Sequence, residues 1–146
     1  MQYSRSITSP EDKDILSICD QEVELRNPSY FVKLLESDVS IAIRIRAVCI
    51  LAEIGNEGSI PVLSTVLKRD QNPLVRHEAA FTMGQLGYNL ATDALMDAMI
   101  NDDYILVRHE SAAALGSVGD ERSRHALVMA SNDTDEFVAV CTRGSS

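Results

Sequence analysis

The sequence has no tryptophan, and aromatic residues make up only 5% of it. So thin a supply argues against a β-sandwich, whose faces draw on aromatic and β-branched side chains. No apolar run approaches the ~18–20 residues that span a bilayer. Met1-Gln2-Tyr3-Ser4-Arg5-Ser6 carries no signal-peptide core. These absences predict a cytoplasmic protein without a membrane segment. Glycine-rich phosphate loops of the Walker or dinucleotide type are missing. Bases are outnumbered, with 13 Lys and Arg against 22 Asp and Glu and a net charge of −9. An acidic domain repels phosphate backbones, so nucleic acid is not an expected partner. Such a surface suits a basic protein segment or a cationic side chain. Cysteine is scarce too: Cys19, Cys49 and Cys141 form no CxxC pair, and each sits among apolar neighbours. That predicts buried free thiols in a reducing compartment, with Cys49 an inert core residue.

What the sequence does have is a repeat. Val75-Arg76-His77-Glu78-Ala79-Ala80 runs on to Gly84-Gln85-Leu86-Gly87, and Val107-Arg108-His109-Glu110-Ser111-Ala112 runs on to Gly116-Ser117-Val118-Gly119. The two stretches lie 32 residues apart. A weaker copy, Ile43-Arg44-Ile45-Arg46-Ala47-Val48 ending at Gly55, lies 32 residues upstream. A fixed period of this length marks stacked helical units, each burying its apolar face against its neighbours.

Apolar spacing fills in the units. Ile15, Leu16, Ile18, Cys19, Val23 and Leu25 give an inward stripe over residues 11–25, and Tyr30, Phe31, Leu34 and Leu35 share one face of a short helix after Pro28. Regular helix pairs then cover 40–54 with a partner opening at Ser59-Ile60-Pro61, 74–86 with 91–100, and 105–118 with 121–131. Gly55, Gly87 and Gly119 are each expected to end a helix in the left-handed conformation. Gly84 and Gly116 suggest close helix approach. The pattern reads as an all-α fold, a HEAT-like α-solenoid of about four stacked helix pairs. It forms one domain over 1–146: an arm at 1–10, an amino-terminal cap at 11–39, repeats at 40–141 and a tail at 142–146.

The paired His-Glu motifs are what a plain repeat does not require. Equivalent positions on adjacent helices lie about 8–10 Å apart. Two His reaching across that gap, with one carboxylate, make a set that suits a non-haem ferrous iron with open positions. Glu near a helix start also stabilises the dipole with no metal present, so a non-catalytic binding scaffold stands beside the metal reading. His125 has no repeated acid beside it and is expected at the surface.

His77-Glu78-Ala79 with Gly84-Gln85-Leu86, and Val107-Arg108-His109-Glu110 with Ala114-Leu115-Gly116-Ser117-Val118-Gly119-Asp120, resemble the amino-terminal half of the deoxyhypusine hydroxylases. The resemblance extends over about residues 42–141. That family is a HEAT-like solenoid of two halves whose four His-Glu motifs hold two irons and hydroxylate a lysine-derived side chain of a translation factor. The resemblance implies that His77, His109 and Glu110 are iron ligands and that Glu78 is the supporting catalytic acid. Two motifs in place of four imply a homodimer, through the groove edge or through Phe137–Cys141. The Asp102-Asp103 loop is expected to flank the groove beside Glu78 and Glu110.

Overall fold

The computed structural model describes residues 10–131, and these form eight α-helices. They are α1 (Pro10–Glu24), α2 (Pro28–Leu35), α3 (Ile41–Ile54), α4 (Ile60–Arg69), α5 (Pro73–Leu86), α6 (Thr92–Asn101), α7 (Ile105–Val118) and α8 (Glu121–Ala130). No strand occurs among the described residues. The architecture is the all-α solenoid that the 32-residue period implies. Pro10, expected at the end of the 1–10 arm, opens α1; residues 1–9, Phe137–Cys141 and residues 142–146 lie outside the described residues.

The helices stack in two layers. In one, α3, α5 and α7 pack side by side; in the other, α4, α6 and α8 do. Between the layers lies the core, with Ile43, Val48, Leu51, Leu63, Leu67, Val75, Met83, Leu95, Met99 and Leu115 almost wholly buried. Local signals set the helix ends. The Ser40 hydroxyl accepts from the Ile43 amide, the Asn72 side chain from Leu74 and the Asp120 side chain from Ser123, each satisfying an otherwise orphaned amide in a first turn. Pro28, Pro61 and Pro73 stand in first turns, where a missing N–H costs nothing.

Gly87 and Gly119 end their helices at φ +73° and +67°. Gly55 does not: its φ is −64° and its ψ 163°. The chain leaves α3 extended and enters a 3-10 turn at Glu57–Ser59, in which the Asn56 amide donates to the Ser59 hydroxyl. Glycine is needed there for space, because a Cβ would stand 2.4 Å from the Leu51 carbonyl oxygen. Two further expectations fail. Ile18 and Leu25 are exposed, because α1 meets α2 and α3 along one narrow side and Leu25 already belongs to the turn after it. Cys19 is buried as expected, but Cys49 is exposed on α3.

Candidate metal centre

The site starts from an arginine at the same place in each unit. Arg76 is mostly buried at the end of the first turn of α5. Its guanidinium donates from Nε and Nη2 to the two Asp102 oxygens at 3.0 and 3.2 Å, and to Asp103 at 3.1 Å. Its Nη1 donates back to the Asp70 carbonyl at 2.8 Å. One unit earlier, Arg44 grips Asp70 at 2.8 and 3.3 Å and the Val39 carbonyl. One unit later, Arg108 donates to the Asp102 carbonyl at 2.8 Å. The Arg44 and Arg76 forks each fit a carboxylate bidentately and tie their helices to the loops on either side. Arg76 therefore fixes α5 against the entry to α7. Asp102 and Asp103 both accept from Arg76 in this ladder, Asp102 buried and Asp103 with its side chain exposed. The sequence carried the signal, since Asp70 and Asp102 are 32 residues apart like the arginines they bind.

His77 and Glu78 follow Arg76 directly, so the ladder sets their height along the stack. His77 Nε2 faces Glu110 Oε2 of α7 at 3.3 Å. His77 Nδ1 faces Glu78 Oε1 at 3.6 Å, too long for a hydrogen bond, and this nitrogen is buried. The three side chains are partly shielded, Glu110 the most, with 17% of its surface exposed against 30% for His77. The other Glu78 oxygen, Oε2, accepts from the Cys49 thiol of α3 at 3.8 Å. A chain of polar contacts thus runs Cys49–Glu78–His77–Glu110 across three consecutive units.

His77, Glu78 and Glu110 thus stand in one row of contacts. His109, half-buried, precedes Glu110 on α7. Among the described residues no three His, Cys, Asp or Glu side chains close into a ready-made metal-binding group. The His77–Glu110 pair nonetheless has the spacing of two donors on one ion: ligands bound at about 2.0–2.2 Å in tetrahedral or right-angled geometry stand about 3 Å apart. The ring orientation also suits such a pair, with Nε2 toward the shared position and Nδ1 toward a second carboxylate. His125 is exposed on α8, away from this cluster. A groove of about 630 Å³ lies in the other layer, between α4 and α6, lined in part by Lys68, Asp93, Asp97, Asn101 and Asp102. It contains none of the His-Glu residues.

Residues 28–113 match the family model described as HEAT repeats, and residues 107–133 match the PBS lyase HEAT-like repeat. A search of curated proteins returned no match. Among solved structures, human deoxyhypusine hydroxylase in complex with glycerol superposes with a TM-score of 0.75 at 26% identity, over 82% of this chain and 42% of that one. The chain thus spans less than half the length of that enzyme. The helix pairs, their period and the family match over residues 28–113 agree, and the chain belongs to the HEAT-repeat family.

Proposed function

We propose that this HEAT-repeat protein binds iron on its His-Glu face and acts as an oxygenase of the deoxyhypusine hydroxylase kind. The observation that carries the reading is the approach of His77 Nε2 to Glu110 Oε2 at 3.3 Å between helices of successive units. Likeness to human deoxyhypusine hydroxylase supports it. His77, His109 and Glu110 would hold the metal, and Glu78 would support it from behind His77. Ferrous iron with open positions would supply oxygen activation there. The acidic surroundings suit a cationic, lysine-derived side chain or a basic protein segment as the group acted upon. The chain's own residues would bind and orient that group: carboxylates attract an ammonium, and the partial burial of Glu110 strengthens the attraction.

A second reading rests on the same contact. A His-carboxylate pair at 3.3 Å also ties α5 to α7 without any ion, as a non-catalytic scaffold requires. Titration with Fe(II) or Co(II) under anaerobic conditions separates the two. The oxygenase reading expects saturable binding that falls about 10–100-fold or more in His77→Ala and Glu110→Ala, by analogy with losses around metal sites. Wild-type protein that takes up no metal leaves the scaffold reading.

A further inference from the structure

Cys49, Phe81 and Ala113 occupy one repeat position, and an apolar pattern assigns all three to the core. The structure places them on the surface that carries the His-Glu row: Cys49 and Phe81 are exposed and Ala113 is half-buried. Neither Phe81 nor Ala113 can donate a hydrogen bond, so the thiol is not something the repeat requires. It is a feature of the unit before the two motifs.

The Glu78 carboxylate is divided between two neighbours. Oε2 lies 3.8 Å from Cys49 Sγ, and Oε1 lies 3.6 Å from His77 Nδ1. A carboxylate free to rotate has no reason to keep one oxygen toward the histidine. A donor on the opposite oxygen supplies that reason. The thiol is suited to the part, since partial desolvation of the sulfur on an otherwise exposed residue, and then the Glu78 charge, push its pKa above the ordinary thiol value. We propose that Cys49 is a positioning residue of the His-Glu face: its S–H donates to Glu78 and turns the other carboxylate oxygen toward His77. A third unit, one that has no His-Glu motif, thereby takes part in the site. The consequence for metal affinity rests on the function proposed above; the contact itself does not.

Two measurements keep those apart. The S–H stretching band of Cys49, isolated as the infrared difference between wild type and Cys49→Ser without metal, should shift to higher frequency in Glu78→Ala. An unshifted band overturns the proposal. Titration with Co(II) then reads the consequence. Cys49→Ala should weaken binding about tenfold and alter the d–d spectrum, while Cys49→Ser, which keeps a donor, should stay within about threefold of wild type. Equal affinity and an unchanged spectrum in Cys49→Ala also overturn it. If wild-type protein binds no Co(II), the metal reading fails by itself, and the S–H band decides the role of Cys49 alone.

Discussion

At the residue scale, the repeating arginine is the most consequential side chain that the two His-Glu motifs do not include. The side chains of Arg76 and Asp102 are only 11% and 8% exposed. A buried pair adds little beyond an apolar substitute, but breaking it strands a charge. Arg76→Ala should therefore cost about 3 kcal/mol in urea unfolding, the low end of the buried-pair range because the Tyr104 amide still donates to Asp102. Arg76→Lys should restore less than half, since an ammonium cannot make the fork. A second acid acts in the other direction of charge. Asp120 caps α8, with Ser123 leading and Thr92 adding hydrogen bonds that hold its pKa below the ordinary carboxylate value against the opposing effect of burial. A depressed folded-state pKa stabilises above the unfolded value and loses that contribution as pH falls through the folded one. Asp120→Asn should then cost about 1 kcal/mol at neutral pH. The gap from wild type should stay level down to about pH 5 and narrow below about pH 4, as followed by denaturation across pH.

At the element scale, α5 and α7 approach closely enough that one residue decides the spacing. A Cβ on Gly84 would stand 2.9 Å from both Cα and Cβ of Ala114. Gly84→Ala gains about 1 kcal/mol of helix propensity and loses about 1–3 kcal/mol to overpacking. The clash is with backbone as well as side chain, so the loss should win by about 1 kcal/mol in thermal or urea unfolding. Gly87→Ala has open space around it and should be destabilised instead by its φ of +73°, by about 1 kcal/mol. The two glycines show what was legible in the sequence. Helix ends and close approaches leave a residue type behind at a fixed period, so the pairs and most of their bounds could be read directly. Faces were harder. Ile41, Ile43, Ile45, Val48, Cys49, Ile50 and Leu51 spread apolar character around much of α3. Periodicity cannot then tell the core side from the open one, which is why an apolar pattern places Cys49 inward. His77, Glu78 and Glu110 were legible because they break the repeat's apolar economy twice in the same register. The Arg–Asp ladder was half legible: the arginines were aligned, but their partners sit in loops, where apolar period says nothing.

At the scale of the whole molecule, a stack of units that touch only their neighbours distributes stability unevenly. Each helix is held by what lies on its two sides. α5 has α3 on one side and α7 on the other, with α4 beneath it. It buries Val75, Arg76, Ala79, Ala80, Thr82, Met83 and Gly84. α1 leans on α2 and α3 and buries only Cys19 fully. Local opening follows burial and neighbouring contacts, so the amides of α1 should exchange fastest and those of α5 slowest. Hydrogen exchange read by mass spectrometry on peptides from each helix would show the order directly. Equal protection from α1 to α8 would mean instead that the stack opens as one cooperative unit. The same measurement on Arg76→Ala tests how the units communicate. Arg76 joins α5 to the loop at the entry to α7 through Asp102 and Asp103, and to the loop after α4 through the Asp70 carbonyl. Losing it should deprotect α5 and α7 more than α1 or α2. His77 and Glu110 lie on the two helices so loosened. The ladder that stabilises the stack is therefore also what holds the His77–Glu110 spacing, and the two should fail together.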